Sequence, residues 1–174
     1  MNFLALTLLS PLLAGLAILG LRRAPEVLAL AGAGLGLIGA LGLLVTGGAQ
    51  ALLPGLPGMP LRLAATPLTA VLAALVATVA GFVLIYATGY MAKDPEKPRF
   101  FGTMLLFVTA MQGLVLAGDW ITLLAAWEMI GFASYLLIGF WHGREGVAGA
   151  ATRAFLYTRS ADLGLYIGAF VLIG

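Results

Sequence analysis

The chain has 174 residues, of which 9 are Lys or Arg, 7 Asp or Glu and 1 His, so only 9% is charged while 62% is hydrophobic. A soluble domain carries roughly 25% charged and about 45–50% apolar residues, so these few charges cannot coat a water-facing surface and the solvent is lipid. A net charge of +2, scattered along the chain, leaves no footprint for nucleic acid, and the lack of Cys removes disulfides and thiolate metal ligands.

A helix crosses a hydrocarbon core of roughly 30 Å in about 20 residues. Six windows of that kind follow one another: Phe3–Leu21, Val27–Val45, Pro67–Tyr86, Phe101–Ala117, Ile121–Trp141 and Ala150–Ile173. They are rich in Leu, Ala and Gly without period-2 alternation, and open strand edges cannot face lipid. The expected fold class is therefore all-α: a polytopic transmembrane helical bundle forming a single domain over 1–174.

The first window has no basic residue before it and Arg22-Arg23 directly after it, the reverse of a cleavable secretory signal, so it reads as a retained helix with its N-terminus outside. The second carries Gly32, Gly34, Gly36, Gly39 and Gly42, a pattern that lets helix backbones approach. Between the second and third, the segment 46–66 holds Gly47, Gly48, Pro54, Gly55, Pro57, Gly58 and Pro60 and reads as an ordered external loop or short hairpin. Gln112, Thr78, Thr103 and Thr109 are candidates for interhelical hydrogen bonds. Asp119 sits in a tight turn as a solvated charge. Trp120 and Trp141 are spaced by roughly 31 Å of helix, matching the ends of an aromatic belt around the fifth span. Counting basic residues at alternate ends gives Arg22, Arg23, Lys93, Lys97, Arg99, Arg144 and Arg153 on one side and Arg62 alone on the other. By the positive-inside rule the first set faces the cytoplasm, which makes the chain a multi-pass protein of the cell's inner (plasma) membrane.

The polar residues left inside the spans are few. A charge at mid-bilayer costs about 2.5–3.5 kcal/mol on insertion scales, so such residues face a bundle interior or water and are functional candidates. Glu128 stands alone in the fifth span, where an apolar setting favours its neutral form, as a proton-relay carboxyl requires; a structural role as hydrogen-bonded packing is the alternative. Arg159 and Asp162, three apart in the inner half of the sixth span, share a helix face and can pair. Opening that pair changes the field at Glu128; a static, neutralised pair that lets the helix insert is the plainer reading. His142, at the inner mouth of the fifth span, can titrate near neutral pH and feed protons inward, or simply be solvated. The sequence holds no His pair or Cys set for haem or iron–sulfur centres, no Gly-rich phosphate loop and no Ser/His/Asp set of plausible geometry.

Four stretches carry a resemblance: YATGYMAKDPEKPRFF from Tyr86 to Phe101, MLLFVTAMQGLVLAGDW from Met104 to Trp120, WEMIGFASYLLIGFW from Trp127 to Trp141 and TRAFLYTRSADLGL from Thr152 to Leu165. Together they resemble the antiporter-like subunits of proton-pumping NADH-quinone oxidoreductase (respiratory complex I), in the subunit L branch; residues 1–65 match only in hydropathy. The resemblance implies that Glu128 is the proton-channel glutamate, that Arg159 and Asp162 are the helix-six pair, and that a modulating lysine lies on a following helix absent from this chain. It also implies that the chain is an N-terminal part of such a subunit or a split product. The step Thr66-Pro67-Leu68-Thr69 departs from the family, whose members often carry an Asp there, which leaves an outer acidic group without a counterpart. The implied role is a non-redox subunit of a translocase, forming part of a proton half-channel beside other membrane subunits. Neither cofactor nor metal is expected on this chain, NADH and quinone being used by the assembled complex. A subunit of a Mrp-type cation/proton antiporter or of an inorganic-carbon uptake complex shares the signature, and a non-conducting structural element is the third alternative.

Overall fold

The computed structural model describes residues 3–56 and 59–173. Six helices run in order: α1 (Phe3–Leu21), α2 (Pro25–Thr46), α3 (Pro67–Tyr90), α4 (Lys97–Val115), α5 (Trp120–Ile138) and α6 (Val147–Ile173), with strands β1 (Ala49–Leu56) and β2 (Met59–Ala65) between α2 and α3. The expected loop is thus a hairpin. Its antiparallel strands set Ala49 opposite Ala65 and Leu53 opposite Leu61; the Pro57-Gly58 step of the expected turn lies outside the described residues. Among the described residues α1 to α5 are long and apolar enough to cross a membrane. The sixth expected span is formed as a helix of 27 residues, and Arg153, Arg159 and Asp162 dilute its apolar run.

Local signals explain where these helices begin and end. Gly47 closes α2 with φ 73°, a left-handed turn that costs glycine little. Thr66 opens α3: its side chain accepts from the Thr69 backbone N–H while the Thr69 hydroxyl bonds back to the Thr66 backbone, with Pro67 in the first turn. The step that departs from the family pattern therefore serves as a capping box. α5 stops three residues short of the expected Trp141. Gly139 follows Ile138, and the Trp141 indole lies in the next turn, where its Nε1 donates to Asp94 Oδ2 at 2.9 Å. The belt reading of Trp120 and Trp141 on a single helix gives way to one tryptophan at a helix start and one in an interhelical turn.

α1 lies against α2 and α4, and α2 also meets α3, so the first four helices form the compact part of the bundle. An added methyl at Gly32 or Gly42 would overlap Ala14 or Phe3 of α1, and at Gly39 it would sit 2.6 Å from the Thr7 backbone nitrogen. These glycines are packing positions. Gly39→Leu should force α1 and α2 apart, a strain of about 1–3 kcal/mol or more, read as a lower thermal unfolding temperature of the purified chain in detergent.

Two apolar cores result. At the hairpin end Leu4, Leu43, Leu63, Ala65, Ala70 and Leu116 are buried together. The opposite end, which carries most of the basic residues, buries Ile18, Leu84, Met91, Phe101, Leu105 and Phe140. It is also tied by the Lys97–Glu26 ion pair at 2.6 Å. The hairpin is pinned to the α4–α5 turn: Ala64 N–H donates to Leu116 O, Gly118 N–H donates to Arg62 O, each at 2.8 Å, and Arg62 N–H donates to the Thr122 hydroxyl at 2.7 Å. α5 and α6 form a flanking pair, α5 on α4 and α6 on α5.

Candidate functional site

The functional candidates meet where α5 faces α6. Arg159 of α6 forms an ion pair through Nη1 with Glu128 Oε2 of α5, and its Nη2 lies 3.2 Å from Asp162 Oδ2 one turn along its own helix. One guanidinium therefore serves two carboxylates. The Trp127 indole Nε1, next to Glu128, donates to the second oxygen of Asp162 at 2.9 Å. Tyr166 receives a hydrogen bond from Arg159 Nη1 at 3.4 Å, and the guanidinium stands 5.4 Å from the Phe155 ring centre. Such a fork, planar and permanently charged, is suited to holding two acceptors at once.

The two carboxylates differ in setting. Asp162 is buried, its side chain 9% exposed, whereas Glu128 is 46% exposed and Arg159 lies between them at 18%. Beside the cluster is a cavity of about 390 Å³ lined by Trp127, Gly131, Ser134, Thr158, Arg159 and Asp162. That is room for several waters with hydroxyl and charged partners. Because α6 starts at Val147 rather than at residue 150, Asp162 lies roughly 22 Å from the basic end at 1.5 Å per residue. The pair thus straddles the middle of its helix, Arg159 just on the basic-end side of it.

Gly131 makes room on α5 for the Arg159 guanidinium. A Cβ there would overlap the Arg159 guanidinium, and because the clash falls on the far end of a flexible side chain, the helices can stay while the charge moves. Gly131→Ala should leave the amount of folded protein unchanged and displace Arg159 from Glu128, read as a longer Arg159–Glu128 distance in a structure of the variant.

His142 is not brought into this cluster. It is exposed in the turn after α5, with roughly 15 Å of helix between Glu128 and the helix end. Its Nδ1 lies 3.4 Å from Arg99 Nη1, and Arg99 Nη2 also donates to the Phe140 carbonyl. His142, Arg99 and Thr103 contribute to a second cavity of about 320 Å³ at the basic end.

Other expected polar roles are sorted by the structure. Gln112, 1% exposed, makes the expected interhelical bond, donating through Nε2 to Ala73 O of α3 at 2.9 Å. Thr78 and Thr109 instead donate to Ala74 O and Leu105 O of their own helices, the local back-bond that a threonine hydroxyl reaches most easily. Asp119 is not simply solvated: it accepts from Thr122 N–H at 2.7 Å as the α5 cap and stands 4.0 Å from Arg62 Nε. Trp127, Gly131 and Tyr166 join the site through packing, and in the sequence only the adjacency of Trp127 to Glu128 points to one of them.

Two family models match the chain. The NADH-ubiquinone oxidoreductase (complex I) chain 5 N-terminus matches residues 58–101, and the NADH:quinone oxidoreductase/Mrp antiporter transmembrane domain matches residues 117–174. Over these two stretches the chain matches the antiporter-like membrane subunits of complex I and Mrp. It is 45% identical over 97 residues to NADH-quinone oxidoreductase subunit L of Mycobacterium tuberculosis (strain ATCC 25618 / H37Rv), covering 56% of this chain and 15% of that protein. It is 48% identical over 102 residues to the chloroplastic NAD(P)H-quinone oxidoreductase subunit 5 of Mesostigma viride, covering 59% and 16%. The matched segment thus spans less than a fifth of those relatives' length. Among solved structures, the Mrp complex from Dietzia sp. DQ12-45-1b superposes with a TM-score of 0.75 at 29% identity, over 99% of this chain and 18% of that one. The archaeal membrane-bound sulfane sulfur reductase shares the fold, with a TM-score of 0.73 at 20% identity over 94% and 27%.

Proposed function

We propose that this chain forms part of a proton-translocation half-channel centred on Glu128, within the membrane part of a proton-pumping NADH-quinone oxidoreductase. The observation that supports it is the single Arg159 guanidinium shared by Glu128 and Asp162 beside a cavity of about 390 Å³. A proton arriving on Glu128 cancels its charge, and Arg159 is then drawn to Asp162, whose other oxygen the Trp127 indole already holds. Release of the proton restores the pull toward Glu128. Unit charges 4 Å apart interact by about 4 kcal/mol at an effective dielectric of 20, so moving one guanidinium between two carboxylates couples proton occupancy to position. Other membrane subunits supply the rest of the assembly. NADH and quinone act there, and this chain itself carries no redox step. The basic end, with Arg22, Arg23, Lys93, Lys97, Arg99 and Arg144, faces the inner side of the cell's inner membrane, leaving the N-terminus outside.

The likeness to the Dietzia Mrp complex over 99% of the chain favours a second reading, a cation/proton antiporter subunit with the same site and a different driver. Inverted membrane vesicles carrying the assembled complex separate the two. Acidification driven by NADH and lowered by Glu128→Gln supports the first reading. A signal that answers only to a sodium gradient supports the second, and indifference of both signals to Glu128→Gln overturns both.

A further inference from the structure

The Glu128 cluster and the basic-end cavity are separate spaces, and one side chain belongs to the walls of both. Tyr135 lines the cavity of about 390 Å³ together with Arg159 and Asp162, and it lines the cavity of about 320 Å³ together with Arg99, Thr103 and His142. Glu128, Gly131 and Tyr135 are spaced by three and four residues on α5, so they share the face turned to α6. Phe155 of α6 fixes the tyrosine ring from that side, centroid to centroid 5.3 Å. One turn on, Gly139 lies so close to α6 that a Cβ there would stand 3.3 Å from the Ala151 methyl, which keeps the two helices together at the junction. Tyr166 accepts from Arg159, whereas the Tyr135 hydroxyl makes no hydrogen bond to a described residue. Ser134 and Thr158 bring further hydroxyls to the first cavity, while Ile130 and Ile138 on that side and Leu106 and Leu136 on the other are apolar.

We propose that the Tyr135 hydroxyl is the positioning residue that joins the two cavities into one proton path from the basic end to the Glu128–Arg159–Asp162 cluster. This rests on the reading of Glu128 as a proton relay. A phenol both donates and accepts: its oxygen gains a proton from a water of one cavity as its own O–H breaks toward a water of the other, so the hydroxyl ends each transfer as it began. Phenylalanine would keep the ring and its stacking on Phe155 but leave an apolar septum between the waters.

The test uses the complete assembled complex, with the change made in the organism's own copy of the gene. Proton translocation in inverted vesicles is measured per complex for Tyr135→Phe, Tyr135→Ser and Glu128→Gln, under whichever driver moves protons in the wild type. Tyr135→Phe is expected to lower the rate at least about tenfold, as loss of a positioned proton-transfer group does. Tyr135→Ser, which makes room for a water where the phenolic oxygen stood, should recover a large part of it. A wild-type rate in Tyr135→Phe beside a disabled Glu128→Gln overturns the Tyr135 assignment and leaves the Glu128 reading standing. Equal losses in the Phe and Ser variants, with the complex present, mean that a small hydroxyl with water beside it does not restore the path, which also overturns it. A wild-type rate in Glu128→Gln removes the relay and the path to it together.

Discussion

Glu128→Gln is expected to lower driver-linked proton translocation by about 100-fold or more, the scale at which a positioned proton-transfer group contributes. The change is nearly isosteric. Glutamine keeps the volume on α5 and can still accept from the Arg159 guanidinium through its carbonyl oxygen, so the α5–α6 contact survives and the complex should assemble in wild-type amounts. What disappears is the group that alternates between neutral and charged forms. Glu128→Asp keeps that alternation on a stem one methylene shorter, so its reach to Arg159 is compromised while its chemistry is not, and a partial rate is expected. The initial rate of vesicle acidification, normalised to the amount of complex, reads all three. Equal rates in the wild type and the Gln variant would mean that Glu128 is only a packing residue.

Arg159→Met should be the more damaging change, because it removes the counter-charge of two carboxylates at once. Asp162 is buried with its side chain 9% exposed, and a buried charge stripped of its partner costs about 3–5 kcal/mol. Translocation should be lost and the thermal unfolding temperature of the complex should fall. Adding Asp162→Asn to Arg159→Met should return the unfolding temperature without returning translocation, since the orphaned charge is gone but so is the movable one. Arg159→Lys separates the two effects differently. A compact ammonium can neutralise one carboxylate but lacks the planar fork that spans both, so stability should hold while translocation drops. Scanning fluorimetry and vesicle acidification on the same preparations check these outcomes. A fall in stability alone, with translocation per folded complex intact, would leave Arg159 as a purely structural charge.

Much of this arrangement was legible in the residues themselves. The spans follow from runs of Leu, Ala and Gly, the hairpin from the Gly and Pro cluster between Gly47 and Pro60, and the Arg159–Asp162 pair from a three-residue spacing that needs no knowledge of neighbours. The link from Arg159 to Glu128 was not legible, because it depends on how α5 and α6 slide and rotate against each other. Once the helices are packed, the missing side chain of Gly131 leaves the space the guanidinium fills. Hydropathy misplaced the end of α5 for a related reason. Trp141 is apolar and continues the run, but its indole N–H is satisfied by Asp94 on the α3–α4 turn, a partner that no window along the chain can see. Asp119 looks like a free charge in the sequence because its nearness to Arg62 depends on the hairpin folding back over the α4–α5 turn, although its cap on Thr122 is local.

As a relay, Glu128 gains and loses a proton while the complex works. Infrared difference spectroscopy of the carboxyl stretch, recorded on the assembled complex at rest and under its driver, reads that change. A relay gives a protonated-carboxyl band that changes between the two states, vanishes in Glu128→Gln and shifts in Arg159→Lys. A spectrum in which the carboxyl region is the same in both states, or in which the changing band persists unaltered in Glu128→Gln, would contradict it.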